Sequence, residues 1–180
     1  YKRPFAFSAR MALHLRSMKL IKTFVVFLLL AIQAPLSIAA TPAVLSWQID
    51  QKLDTTYDIV YKHLEENRFY VVFEPNIQRN LDNFAQRWGD DYNRNRLEGI
   101  RAMVFCNGWY ANQVSNADPT MLALCPLHIT LIQEEGKTRV LFSRPTVIAA
   151  GSPAEKIAAD LEAAVAEAIE AALAELNAAP

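Results

Sequence analysis

Apolar and polar positions along this chain fall into three kinds of pattern, and each predicts a different element. Residues 24–34 (FVVFLLLAIQA) run almost without a polar break until Pro35. Short runs rich in branched and aromatic residues follow at 46–49, 69–73, 100–106, 127–133 and 138–143, and these read as strands. Helical stripes separate them. Tyr57, Val60, Tyr61 and Leu64 share one face of a helix over 56–67, with Thr55 as N-cap and Asp58 at N3. Ile77, Leu81, Phe84 and Trp88 fall at i, i+4, i+7 and i+11, which predicts one continuous helix stopped by Gly89. Ile157, Leu161, Val165, Ile169 (or Ala168), Ala172 and Leu176 extend a long final stripe. Ser152 as N-cap, Pro153 at N1 and Glu155 at N3 open it as a capping box.

The resulting order is β-α-β-α-β-loop-β-β-α. An α+β fold follows: a single two-layer domain in which a sheet of about five strands buries the apolar stripes of helices packed on it. Periodicity does not fix the strand order. Glu135-Gly136-Lys137 is a hairpin turn between the last two strands. Residues 107–120 show neither period and read as a long irregular loop, with a helical turn near 120–124.

The apolar run at 24–34 does not belong to that domain. Met18 opens it, with Met11 as an alternative start, and Lys19 and Lys22 form a short basic lead. Its length suits the core of a secretory signal and falls short of the ~20 apolar residues a spanning helix needs. Ser37-Ile38-Ala39 supplies small residues for cleavage after Ala39, or after Ala40. The expected organisation is thus 1–17 outside the mature protein, 18–40 a signal peptide and 41–180 a single domain, located in the periplasm or secreted, with no membrane association after cleavage.

Removing that segment changes the charge. The first 40 residues hold six basic side chains (Lys2, Arg3, Arg10, Arg16, Lys19, Lys22) and no acidic one, which leaves 12 basic against 19 acidic residues, a formal charge of −7. An acidic domain without a basic stripe argues against nucleic acid and against anionic membrane surfaces.

Candidate chemistry concentrates at 102–132. Loops longer than about 12 residues in compact domains are commonly functional, and this one carries Asn107, Trp109, Tyr110, Asn112, Gln113 and, before Pro119, Asp118. Aromatic faces beside amide donors suit a small planar polar ligand; the same residues suit a subunit contact. His128, on the following strand, joins the candidates as an imidazole, the side-chain type suited to acid–base work. Cys106 and Cys125, the only cysteines, sit at the mouths of the loop. An oxidising compartment makes a disulfide the first reading, closing a loop of about 20 residues worth roughly 3 kcal/mol. A redox-active or sulfur-carrying pair, metal ligation and two bystander thiols stay open. CxxC and CxxCH are absent. Metal binding through Cys106, Cys125, His63 and His128 is not expected, because Cys125 and His128 are three apart on a strand and point to opposite faces. No cofactor is expected. No G-x-S-x-G, H-E-x-x-H or P-loop occurs, and the paired carboxylates Glu65–Glu66, Asp90–Asp91 and Glu134–Glu135 read as solvated charge. No residue is therefore assigned to catalysis.

Val104-Phe105-Cys106-Asn107, Ala117-Asp118-Pro119 and Leu124-Cys125-Pro126-Leu127 together resemble the uncharacterised bacterial family called domain of unknown function 302, over residues 46–176. Arg144-Pro145 and the closing helix are similar to it as well. Cys106 stands where a glycine is usual, Gly108 where a proline is usual, and Cys125 precedes the Leu-Pro-Leu-type proline; both cysteines fit a disulfide acquired by an exported version. The resemblance implies a small α+β fold, a homodimer and no established reaction. Three functions are compatible: an exported binding or accessory domain for a small molecule or a periplasmic protein, a redox or sulfur-handling protein using Cys106 and Cys125, and a structural interaction domain.

Overall fold

The strand-like runs pair into one antiparallel sheet. In the computed structural model, which describes residues 42–178, β1 (Val44–Ile49), β2 (Tyr70–Phe73), β3 (Gly99–Cys106), β4 (Leu127–Glu134) and β5 (Lys137–Ser143) lie in the order β1-β5-β4-β3-β2. The expected signal at 18–40 and the stretch before it lie outside the described residues. Every neighbouring pair is antiparallel, with β1 and β2 at the edges. Glu135 and Gly136, both at positive φ, turn β4 into β5, the backbone that a tight hairpin requires.

Alternation along the strands sets the two faces. Met103 and Phe105 on β3, Leu127, Ile129 and Leu131 on β4, and Val140 and Phe142 on β5 point to one side and are buried. On that side lie α1 (Leu53–Glu66) and the long C-terminal helix, α6 (Glu155–Ala178). They contribute Tyr57, Val60 and Leu64 from α1, and Leu161, Val165, Ile169, Ala172 and Leu176 from α6. Each valine, leucine and isoleucine among them contributes roughly 1.5–3 kcal/mol by leaving water. The opposite face is only half covered: Val104, Thr130, Ile132 and Leu141 are partly accessible and His128 is exposed.

Several expectations are corrected. α1 begins at Leu53, and Thr55 lies within it. Its N-terminus is capped from the sheet: Leu53 N–H donates to Gln133 Oε1 (2.9 Å), a tertiary partner invisible in local sequence. The continuous helix expected over 77–88 is broken into α2 (Ile77–Asp82) and α3 (Ala85–Trp88), neither with a buried residue. Its apolar stripe turns onto itself instead, Phe84 and Trp88 stacking at 5.0 Å while both stay exposed.

The largest correction concerns the loop. Residues 107–120 are mostly helical: α4 (Gly108–Ala117) is followed by a 3-10 helix, Pro119–Leu124. Asn107 is the N-cap, its Oδ1 accepting from the N–H groups of Trp109 (3.0 Å) and Tyr110 (3.2 Å). A helix with only Val114 fully buried has too weak a stripe to be seen in the sequence, and its cap and packing decide its state. α5 (Pro145–Ile148) is a single turn after β5. α6 starts at Glu155, so Ser152 and Pro153 lie in the turn before it and not at N-cap and N1: Ser152 Oγ accepts from Ala154 N–H, and the Glu155 carboxylate accepts from Gly151 N–H.

Candidate functional site

Pairing of Tyr70 with Cys106 across β2 and β3 brings the α1–β2 turn beside the start of α4. Between them, and against α6, lies an open groove of about 430 Å³, within the size range of small-molecule sites. Its walls include Asn67, Arg68 and Tyr70 from the turn, Asn107, Trp109 and Tyr110 from α4 and its cap, and Glu167 from α6. Backbone hydrogen bonds wind the turn tightly: Arg68 N–H donates to Glu65 O and Phe69 N–H to Leu64 O, both at 2.9 Å. Arg68 itself takes φ 64°, a left-handed conformation that costs a non-glycine residue energy and persists only where surroundings impose it.

The aromatic wall is graded from rigid to free. Phe69 is buried, meets Phe105 edge-on (5.9 Å, 84°) and stacks on Tyr110 (6.1 Å, 8°). Tyr110 Oη donates to Asp160 O (3.4 Å), which fixes the ring at both ends. Trp109 is 66% exposed and offers its indole to the groove. Glu66 and Glu167 set two carboxylates against one guanidinium, Arg68.

Of the residues singled out from sequence, Asn107, Trp109 and Tyr110 meet here and the others do not. Asn112 and Gln113 lie further along α4 and do not line the groove. Asp118 caps the 3-10 helix: its carboxylate accepts from Thr120 N–H (3.0 Å), Thr120 Oγ1 (2.6 Å) and Ser152 Oγ (2.7 Å). Those bonds, the Thr120 hydroxyl foremost, hold its pKa below the usual carboxylate value, and they tie the end of α4 to the start of α6. His128 pairs with Val104 on the other face of the sheet. Asn67, Arg68, Tyr70 and Glu167 were missed, because only strand pairing and the helix layer bring them to α4.

Behind the groove, Asn107 and Tyr110 also border a second, apolar cavity of about 20 Å³, room for about one water molecule. Cys106 and Cys125 line it with their sulfurs 3.2 Å apart as unbonded thiols. Burial first, then the neighbouring Cys106, pushes the Cys125 thiol up to about 11. Among the described residues no three His, Cys, Asp or Glu side chains gather as metal ligands, and no helix is long and apolar enough to cross a membrane.

A second polar cluster stands apart. Tyr57 Oη donates to Glu74 Oε2 (2.7 Å) and Ala102 O (3.3 Å), while Arg101 lies over its ring at 3.4 Å and pairs with Asp54 at 2.9 Å. Burial and the Glu74 carboxylate push the phenol well above its ordinary pKa, so it stays a donor, anchoring α1 to β3.

No curated protein matches this chain. Among solved structures it is similar to the crystal structure of an uncharacterized conserved DUF302 protein from Bacillus stearothermophilus, with a TM-score of 0.63 and 21% identity over 72% of this chain and 98% of that one. At that identity the likeness speaks for the fold. The family model for the domain of unknown function DUF302 matches residues 45–176, and the chain belongs to that family.

Proposed function

We propose that this is an exported, non-catalytic domain that binds a small planar polar molecule in the groove between the α1–β2 turn and α4. One observation carries the reading: a ligand-sized groove presents an exposed indole beside amides and carboxylates. The indole and Tyr70 offer ring faces, Asn67 and Asn107 offer amide groups, and Glu66 and Glu167 favour a ligand bearing a cationic group. Serine, threonine, cysteine, histidine and lysine are all missing from the walls, so the usual nucleophiles and the usual base do not border the ligand.

A thermal-shift screen of planar heteroaromatic amines on the full chain tests this. Hits are expected to stabilise the protein saturably, and Trp109→Ala or Glu167→Gln should weaken them at least tenfold, the scale of a lost stacking or charge-assisted contact. Absence of hits, or hits untouched by both substitutions, would sink the reading. Thiol exchange weighs less, because burial and the neighbouring Cys106 push the Cys125 thiol up and thiolate is the reactive species.

The domain works as a homodimer in this reading. Support comes from the family resemblance and from edge strand β2, where Tyr70, Val72 and Phe73 are all exposed; an exposed apolar edge invites pairing. Sedimentation velocity should give a dimer that Val72→Lys converts to monomer. A wild-type monomer at micromolar concentration would rule the dimer out.

A further inference from the structure

Cys106 ends β3 and Cys125 precedes β4, and neither lines the groove. Met121 faces the same small cavity from the 3-10 helix. Three sulfur-bearing side chains therefore border one chamber, otherwise walled mainly by Val114, Leu124 and Leu161. Its two polar neighbours are already engaged. Asn107 Oδ1 accepts from the N–H groups of Trp109 and Tyr110, and Tyr110 Oη donates to Asp160 O.

We propose that Cys106, Cys125 and Met121 form a binding site for a soft monovalent metal ion of the Cu(I) class. Thiolate and thioether donors select such ions. Calcium and magnesium require oxygen ligands, and a structural zinc ion requires four nitrogen, sulfur or carboxylate donors; neither set is present around this chamber. At metal–sulfur bonds of roughly 2.3 Å, two thiolates on a trigonal ion sit about 4 Å apart. The sulfurs stand at 3.2 Å, so the pair opens by less than an ångström, within the reach of side-chain rotation. Binding replaces two S–H bonds by two metal–sulfur bonds and releases two protons; no electron moves. The apolar walls keep water from the ion.

The test is an anaerobic titration of the reduced full chain with Cu(I) held by a chromophoric chelator. One ion per chain is expected to leave the chelator, uptake to be abolished by Cys106→Ser and by Cys125→Ser, and affinity to fall at least tenfold in Met121→Leu, the scale of a perturbed metal shell. The leucine variant nearly conserves volume and should fold normally, so it reads ligation apart from stability. Copper left wholly on the chelator overturns the proposal, as does a Met121→Leu protein that binds like the wild type. Thiols that stay bridged in excess reductant and take up no copper overturn it in favour of a structural disulfide. Chelator absorbance reports only the metal, so this outcome is separate from success or failure at the groove.

Discussion

Glu162→Ala is expected to destabilise the domain by about 2–3 kcal/mol, the scale of losing charge-assisted hydrogen bonds that a buried carboxylate makes to a half-buried arginine and a backbone N–H. Glu162 lies on α6 beside the core residue Leu161 and is only 7% exposed. One oxygen accepts from the Arg144 guanidinium, with both Nε and Nη2 at 2.8 Å. The other accepts from Thr146 N–H (3.0 Å) and Thr146 Oγ1 (2.5 Å). α5 is a single turn and cannot hold itself; this carboxylate holds it. Arg144 N–H also donates to Ala43 O (2.9 Å), so the same node joins α6, α5 and the approach to β1. Urea denaturation should show a lower midpoint with an unchanged slope, and a loss under about 1 kcal/mol would show that the node carries no such weight.

The same carboxylate fixes the sign of an acid effect. Burial alone would raise the pKa of Glu162, but hydrogen bonds from Thr146 and Arg144 outweigh it and the net shift is downward. A carboxyl with a depressed native pKa stabilises the fold fully above its unfolded value and loses that contribution as pH falls through the native one. Asp118, capped by Thr120 and Ser152, is shifted in the same direction. Stability should therefore hold on the neutral side of the ordinary carboxylate range and fall on the acid side, and Glu162→Ala should flatten that fall.

Much of this architecture was legible because its causes are local. Leu161, Val165, Ile169 and Leu176 declared α6 by spacing, and the run of β-forming residues at 100–106 declared β3 by composition; the stripe of α6 and the inward residues Met103 and Phe105 of β3 are buried. What was not legible depends on contacts made across the chain. Leu53 starts α1 early because Gln133 caps it from β4. Residues 77–88 satisfy helical spacing yet break: α2 meets β3 without any residue becoming fully buried, and Phe84 and Trp88 stack on each other while staying exposed. α4 escaped notice because its cap, Asn107, also reads as a loop residue. The lining of the candidate groove was legible in part: Asn107, Trp109 and Tyr110 were named, whereas Arg68 and Glu167 enter through packing. Asp118 was named for chemistry and proves to be a cap, a role its Asp-Pro context favours equally.

Phe105→Ala should cost about 3–5 kcal/mol, as deletion of a fully buried aromatic ring does, against a total stability of about 5–15 kcal/mol for a domain. Phe105 is inaccessible to solvent and stands at the base of a stack: its ring supports Phe69, and Phe69 supports Tyr110 at the groove. Its loss should reach the site before the fold gives way. Phe105→Leu keeps most of the volume, so it should leave the protein folded while loosening Tyr110 and weakening any groove ligand. Phe73→Ala is the control. It removes the same ring from neighbouring strand β2, where Phe73 is 63% exposed, and under monomeric conditions it should cost about 0.5 kcal/mol or less, as surface changes do. Equal losses at Phe105 and Phe73 would contradict the assignment of inner and outer sheet faces, because two identical deletions can differ by several kcal/mol only if one ring is packed and the other hydrated.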